Sequence, residues 1–515
     1  MTTTELTAAT ALGLDLPALA DDLLALLMRQ PWGQTSPSVY ETGRVVSLAP
    51  WLAGHRERVA WLLAVQHEDG SWGGPDGFGV APTLSAAEAL LTVEDAAATR
   101  AAQRGLAWLS ARLPHLEALP DLPALDLTVP YLLDLLSAHP VGTPVLPAGL
   151  ASPRLGRIRA ALKAGHALPD KLVHALEVVA TQTAGLHEPS SDGIVGASPA
   201  ATAAWLAARR DAGAEADELA VTMWNLNQVA TRYGGPVPVG LPITVFERGW
   251  VLSWLARGGV AITPPPEMLA GLCASIGPDG ASAGPGLPPD ADTTAVALHA
   301  LMICGLPVEP SCLARFDTGA HFATWPGEDG RSVSVNAHVL DAYLAWLTIQ
   351  PADRDRYGPV AARLAAWILA AQHDDGPWED RWHASPYYAT LAAILPLADL
   401  ARHDLNAGTG SRTSAAILRA QRWTLATQRA DGGWGRWQST AEESAYAVLI
   451  LLAAPPGADA HAAALRCLPL LMSKVHDRDH PPLWHDKDLY SPSGIIRAAI
   501  IAAAHSITRE PPGFW

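Results

Sequence analysis

Two carboxylates one residue apart stand in the segment Asp290-Ala291-Asp292-Thr293-Thr294. A Gly/Pro-rich loop, Gly284-Pro285-Gly286-Leu287-Pro288-Pro289, leads into them, and an apolar helical run from Ala295 to Cys304 follows. Carboxylates this close repel each other, and once both lose water one is expected to hold its proton at neutral pH. A carboxylic acid kept neutral in a dry pocket can give that proton to a poor base, even a carbon–carbon double bond. The plainer alternative is a helix N-cap, where Asp and Thr are common. A helix N-terminus also favours the ionised carboxylate, so burial and mutual repulsion must outweigh it for the acid to work. Taken alone the segment favours the cap; the rest of the chain reverses that.

The elements that must position these residues announce themselves as repeats. Arg58 to Trp72 reads RVAWLLAVQHEDGSW, Arg363 to Trp378 reads RLAAWILAAQHDDGPW, and Arg419 to Trp434 reads RAQRWTLATQRADGGW. Each has an aromatic, then a Gln, then a Trp: Trp61/Gln66/Trp72, Trp367/Gln372/Trp378 and Trp423/Gln428/Trp434, with Asp-Gly before the last Trp. An apolar helix ending near the Gln, followed by an Asp-Gly turn, is predicted. There the Gln amide bonds loop backbone or a neighbouring helix end and the Trp packs on it. A worn copy, Gly277-Pro278-Asp279-Gly280, keeps the turn without Gln or Trp just before the carboxylate pair. After each turn a second helix opens on small polar residues, as at Thr83, Ser198, Asp292-Thr293-Thr294, Ser385 and Glu442-Glu443-Ser444. Helical hairpins repeating at roughly 50 residues mean an α-solenoid or αα-barrel. The expected fold class is all-α, with strand patterns nearly absent. In a closed barrel the second helices line the inside and gather their N-termini at one mouth.

Composition fits this and excludes much else. Of 515 residues 49% are hydrophobic and 17% charged, so each helix must be largely buried; Trp reaches 19 against 5 Phe and 9 Tyr, as the repeats demand. A net charge of −16 argues against a nucleic-acid surface. Cys273, Cys304, Cys312 and Cys467 show no CxxC pairing and read as reduced core residues, not a zinc site. The start, Met1-Thr2-Thr3-Thr4-Glu5, lacks signal-peptide character, and no uncharged apolar run of about 18 residues occurs. A cytoplasmic protein without a transmembrane segment is expected, with a homodimer as the candidate assembly. Residues 5–30 are predicted helical; Asp21-Asp22 lies within, but Ala25 spoils a DDxxD metal motif, so these acids read as a solvated face.

At this point the sequence resembles a known family. The Gln–Asp-Gly–Trp repeats resemble the QW motifs of class II terpene cyclases, and Asp290-Ala291-Asp292-Thr293-Thr294-Ala295 resembles their DxDD-T-A signature. Phe246-Glu247-Arg248-Gly249-Trp250 is similar to their FExxW segment, and Ser332–His338 to the stretch whose Asn contacts the catalytic acid. Asp380–Tyr388 and Trp484–Tyr490 resemble C-terminal segments of bacterial cyclases of prenyl diphosphates. The set, in this order and over residues 40 to the end, is specific. The resemblance implies two αα-barrels: a β domain of residues 1–39 plus 251–515 and an inserted γ domain of residues 40–250, with the substrate cavity between them.

It also implies roles. Asp292 is the general acid that protonates the terminal alkene of a folded isoprenoid; Asp290 tunes it, and Asn336 donates to its carboxyl. Rings then close in turn and the diphosphate stays attached. His174, in Leu172–Glu177, matches the residue that positions the water ending the reaction, while its Asn partner is replaced by Val239. Glu117 and Asp121 match an acidic Mg²⁺ motif. Arg381 and Lys487 are candidates to clamp the diphosphate. Thr293, Trp325 and Trp382 are candidates to line the substrate, the tryptophans offering π faces to carbocations. The third acidic position of the signature is Thr293, and DxDTT resembles drimenyl diphosphate synthases; the first expectation is therefore bicyclisation of the C15 substrate farnesyl diphosphate. The alternatives are C20 geranylgeranyl diphosphate to a copalyl or labdane diphosphate, a squalene-type cyclase, and a non-catalytic αα-toroid that binds a partner. Zinc-dependent prenyltransferase, class I synthase and αα-barrel glycosidase readings lack their Cys/His/Asp, DDxxD or cross-cleft carboxylate contexts.

Overall fold

The computed structural model describes residues 15–183, 187–400, 403, 410–453 and 457–508. The first helix, α1 (Leu16–Arg29), starts where Asp15 accepts a hydrogen bond from the Ala18 N–H at 3.2 Å. Residues 5–14 of the helix predicted there lie outside the described residues. Asp21 and Asp22 are exposed on α1, the solvated face expected of them.

Among the described residues the helices form two rings. The first joins α2 (Val39–Leu48), α3 (Val80–Leu91), α4 (Leu125–Leu136), a 3₁₀ segment (Asp170–Val178) and α5 (Pro199–Asp211), each packed on the next and α5 back on α2. The second joins α6 (Thr244–Arg257), α7 (Ala291–Ile303), α8 (Val333–Ile349), α9 (Pro386–Leu400), α10 (Ala441–Leu452) and α11 (Ser493–Thr508), which closes on α6. Inner helices such as α8 are buried almost all round, which an apolar helix tolerates only when wrapped on every side. Outer helices carry a one-sided stripe: Ala458–Lys474 buries Ala460, Ala463, Ala464, Cys467, Leu468 and Leu471 and leaves its other face to water. The apolar side chains collect into two cores. One holds Tyr40 to Leu241 plus Ala384, Leu483 and Leu489; the other holds Leu16 to Leu27 and Trp250 to Ile507. Two two-residue strands, β1 (Trp484–His485) and β2 (Leu489–Tyr490), pair antiparallel in the segment leading to α11.

The repeats work as small staples. Each Gln Nε2 donates twice, to its own turn and to the next outer helix: Gln66 to Gly70 O and Ala101 O, Gln372 to Gly376 O and Ala416 O, Gln428 to Gly432 O and Ala463 O, all at 2.7–2.9 Å. An Arg on that next helix (Arg104, Arg419, Arg466) donates to the Gln Oε1. The last Trp of each repeat, Trp72, Trp378 or Trp434, is fully buried, its indole N–H on the carbonyl of Leu62, Ile368 or Thr424 at 2.7–2.8 Å. A hydroxyl on the inner helix takes the N–H of the turn residue: Thr83 from Trp72, Thr390 from Trp378, Ser444 from Trp434. The same bond recurs without Trp, from Val195 to Thr202 and from Ala281 to Thr294. The second threonine of the carboxylate segment is thus the repeat hydroxyl, and the worn copy at Gly277–Gly280 keeps its architectural bond.

The four cysteines are free thiols, but Cys273 is exposed and so is not the core residue expected. No described helix is long and apolar enough to cross a membrane.

Candidate active site

Between the two cores lies a cavity of about 280 Å³, close to the scale of sites for drug-sized ligands. Its wall takes residues from both rings. The acidic part sits at the N-terminus of α7. Asp290 is the N-cap: its Oδ1 accepts from Thr293 N at 2.6 Å, and its Oδ2 is buried without a partner. Burial pushes the Asp290 carboxyl up to about 7; the Thr293 hydrogen bond opposes this and the Asp292 charge adds to it. The cap expected of the segment is therefore present on Asp290 Oδ1, while Oδ2 is left without a partner. Asp292, one residue into the helix, lines the cavity with its side chain 14% exposed.

The partner of Asp292 is His338, whose Nδ1 lies 2.6 Å from Asp292 Oδ1. Helices α7 and α8 are neighbours in the ring, which brings the two first turns together. Burial disfavours the imidazolium, but the Asp292 charge and hydrogen bond outweigh it and His338 is raised overall. The Trp250 ring stands edge-on to it at 5.4 Å. Asn336, expected on the Asp292 carboxyl, is elsewhere. Its Nδ2 donates to Phe322 O (3.0 Å) and Ser332 O (2.7 Å), and its Oδ1 accepts from Phe322 N (2.7 Å). It faces one turn back along α8 and ties down the loop; two residues on, His338 comes round to Asp292. Asp290 and Asp292 share no hydrogen bond with each other, so the tuning expected of Asp290 is electrostatic.

The middle of the cavity is aromatic, with Phe246, Trp325, Trp382, Trp484 and Tyr490 on its wall. Trp325 and Trp382 meet edge to face at 5.6 Å. Thr293 also borders the cavity, and it holds Asp290 through its backbone N–H.

The rim is cationic. Arg154, Lys171 and Arg381 line it, with Glu328 and the exposed Asp329 beside them. Arg381 is held by Glu328 at 2.6 Å and by Asp121 at 3.2 Å. It lies so close to Gly330 that a Cβ there would fall 1.2 Å from Arg381 Nη1 and would push the guanidinium aside. Burial pulls the Lys171 ammonium below its usual range, with Glu328 pulling the other way. Lys487, expected at the rim, is not there. It is fully buried, with Nζ on Glu41 (2.6 Å), Glu177 (2.9 Å), Ser198 Oγ (2.8 Å) and His174 O (2.9 Å), and those bonds leave no proton for a phosphate. Glu117 and Asp121 are both exposed, Asp121 reaching the rim through Arg381. Among the described residues no group of three or more His, Cys, Asp or Glu could hold a metal ion. Two carboxylates plus substrate phosphates are nonetheless a donor set that suits Mg²⁺.

His174 does reach the cavity wall. Its Nδ1 donates to Gly196 O at 2.6 Å, and its Nε2 lies 2.8 Å from Asp486 Oδ1. Gly196, at φ 56°, runs so near the chain that a Cβ would sit 2.5 Å from the Val173 carbonyl carbon. Val239 lines the cavity but makes no polar partner. Sequence reasoning missed His338, Arg154, Lys171 and Asp486. His338 and Asp486 lie within segments already singled out, and Lys171 is one helical turn before His174, so spacing alone pointed to them; Arg154 had no such signal.

An acid in the first turn of one inner helix, aromatic walls above it and cations at the rim place the molecule among protonation-initiated, class II terpene cyclases. Residues 328–502 match the squalene-hopene cyclase C-terminal domain. The ent-copalyl diphosphate synthase of Streptomyces sp. (strain KO-3988) is 42% identical over 514 residues, covering 96% of each chain. Labda-7,13-dienyl diphosphate synthase of Streptomyces clavuligerus is 42% identical, covering 96% of this chain and 95% of its own. The solved ent-copalyl diphosphate synthase from Streptomyces platensis superposes with a TM-score of 0.84 at 40% identity, covering 95% of this chain and 99% of that one. The chain belongs to the bacterial class II terpene cyclases.

Proposed function

We propose that the chain cyclises geranylgeranyl diphosphate to a bicyclic copalyl-type diphosphate, with the diphosphate retained. The observation that carries this reading is Asp292, facing an aromatic cavity whose rim bears Arg154, Lys171 and Arg381. The relatives named above, at 42% identity across nearly the whole chain, support a copalyl or labdane product over the drimenyl one. The DxDTT spelling is a weak reason for a shorter substrate, since Thr293 contributes its backbone N–H to the cap and Thr294 is the repeat hydroxyl. A squalene-type substrate carries no charge for the cationic rim. The same reading divides the chain into a β unit of residues 1–39 plus 251–515 and a γ unit of residues 40–250; the two separate cores support the division but move its edge back before α6, whose Trp250 belongs to the second core.

In this mechanism Asp292, holding its proton, gives it to the terminal alkene carbon. The neighbouring carbon becomes cationic, and the next two double bonds attack in turn to close two rings. The His338 Nδ1–H donates to the Asp292 oxygen it faces, stabilising the carboxylate as the proton leaves. Asp290 works through charge, since a buried second carboxylate keeps a proton within the pair. Trp325, Trp382 and Trp484 turn π surface toward the migrating cation. Arg154, Lys171 and Arg381 hold the diphosphate. Glu117 and Asp121 would hold Mg²⁺, which supplies positive charge against the diphosphate oxygens.

The test is incubation with farnesyl diphosphate, geranylgeranyl diphosphate and squalene, with and without Mg²⁺, and with Asp292→Asn as control. The geranylgeranyl substrate should give a bicyclic alcohol after phosphatase treatment, with kcat/KM at least about tenfold above farnesyl diphosphate. Preference for the farnesyl substrate would restore the drimenyl reading. Turnover by Asp292→Asn would end the assignment of Asp292, and no turnover of any substrate by the unaltered protein would favour a binding toroid. Loss of activation by Mg²⁺, or a rise of at least about tenfold in the Mg²⁺ needed, on Glu117→Ala/Asp121→Ala substitution would support those two as ligands.

A further inference from the structure

A cyclisation that begins by adding a proton must end by losing one, and the position of the base decides which alkene forms. His174 cannot be that base as it stands. A carbonyl only accepts, so Nδ1 must carry the hydrogen that reaches Gly196 O. Nε2 faces a carboxylate oxygen at 2.8 Å and carries a hydrogen as well. An imidazolium with both N–H groups spent has no lone pair to offer, either to a carbocation or to a water molecule that it would need to activate.

The other member of the pair has what the histidine lacks. Asp486 lines the cavity with its side chain 21% exposed. Its Oδ1 is taken by His174 Nε2 and by the Lys487 N–H at 2.6 Å, which leaves Oδ2 for the cavity. The backbone here is fixed by the β1–β2 hairpin, and the His174 ring is fixed by Gly196, so the free oxygen has a defined place. The charge states agree with this. Burial would raise the Asp486 carboxyl, but His174 outweighs it and holds it below the usual range. Burial would lower His174, but Asp486 outweighs it and holds it above. Other bases on the wall are spoken for. Glu328 is bound to Arg381 and to Thr324 N, and Asp329 is exposed at the cationic rim. His485 has an unpartnered Nε2, but that atom is sealed from the cavity and the ring packs on Phe78 at 5.1 Å.

We propose that Asp486 is the base that ends the reaction, its Oδ2 taking the proton from the last carbocation, and that His174 is a positioning residue that holds the carboxylate. The C–H bond beside the cationic carbon breaks, its electron pair becomes the new C=C bond, and the proton passes to Asp486, so that one positive and one negative charge disappear together. Asp292 has given one proton and Asp486 has taken one, which leaves the substrate isomerised. This completes, from the C-terminal segment, the pair that Val239 leaves open. It rests on the proposed reading that the product is a deprotonated bicyclic diphosphate.

The experiment compares Asp486→Asn, Asp486→Glu and His174→Gln with the unaltered chain. Substrate consumption and product distribution are measured separately. Asp486→Asn should consume geranylgeranyl diphosphate within about tenfold of the unaltered rate, since initiation at Asp292 is untouched. Its yield of the normal alkene should fall at least about tenfold, replaced by alcohols from water capture or by isomeric alkenes. Asp486→Glu keeps the charge but moves the oxygen, so consumption should persist with a changed alkene ratio; it carries the test if the Asn variant does not fold. His174→Gln should keep the normal alkene as its main product, with a minor isomer appearing. An unchanged product from Asp486→Asn or from Asp486→Glu would overturn the proposal, as would loss of the normal alkene in His174→Gln as complete as in Asp486→Asn. Failure of the unaltered chain to turn over the substrate would instead sink the functional reading beneath it.

Discussion

The cavity wall carries two aspartates, Asp292 and Asp486, each paired with a histidine, and the proposed mechanism gives them opposite work. His338–Asp292 is joined at 2.6 Å through Nδ1, and His174–Asp486 at 2.8 Å through Nε2. What differs is the company. Asp292 stands one residue from a second buried carboxyl, Asp290, whose own ionisation burial resists. Asp486 stands one residue from a lysine and takes that residue's backbone N–H as well as the histidine's. A carboxyl beside another carboxyl is under pressure to keep a proton; one ringed by donors is under pressure to remain an anion. On the proposed mechanism the neighbours, and not the residue type, set the direction of proton transfer.

The comparison breaks most sharply at the acid. Asp292→Asn should lower turnover about 10⁴-fold, with helical circular dichroism unchanged, because Asp292 is the acid that initiates the proposed reaction. His338→Phe should cost about 10²–10³-fold in kcat with KM nearly constant, the loss of one donor aimed at developing charge. If His338→Phe were silent, the likeness between the pairs would be accidental. The pH profile sharpens the contrast. The Asp290 carboxyl is raised to about 7, so its proton is held below that pH and lost above it. Turnover should therefore fall as pH rises through about 7, as a property of the coupled pair. Asp290→Asn should move this limb to lower pH and cost about tenfold at neutrality. The smallest effect on chemistry belongs to Asn336→Ala. It should lower stability by about 1–3 kcal/mol, read as a shift in the urea midpoint, because it strands the Phe322 loop groups, while kcat stays within a few-fold.

Much of the architecture was legible in the chain. Gln66, Gln372 and Gln428 with their tryptophans forecast the turns because each needs the same three partners, and a spacing repeated three times leaves little freedom. Asp292 was legible because its pattern is local. The errors came from residues whose direction depends on helical phase. Asn336 and His338 lie two residues apart on α8, so they point to different sides, and a motif quoted as a string does not say which side is inward. Lys487 failed for a related reason. Asp486, Lys487 and Asp488 sit in the bend between β1 and β2, where Lys487 and Asp488 both turn into the first ring and the cavity receives Asp486. Arg154 and the Asp486 partnership with His174 join residues far apart in sequence, which no spacing rule reaches.

Lys487 has one more lesson to give. Its ammonium is sunk among Glu41, Glu177 and Ser198 of the first ring, although the chain that carries it goes on to close the second. Drawing Lys487 out of that site would strip buried carboxylates of their counter-charge, at a cost of about 3–5 kcal/mol. This buried rivet ties the segment that leads into α11 to the wall of the first ring. For the same reason the rings should melt as one, with tryptophan fluorescence and circular dichroism losing their native signals at a single temperature.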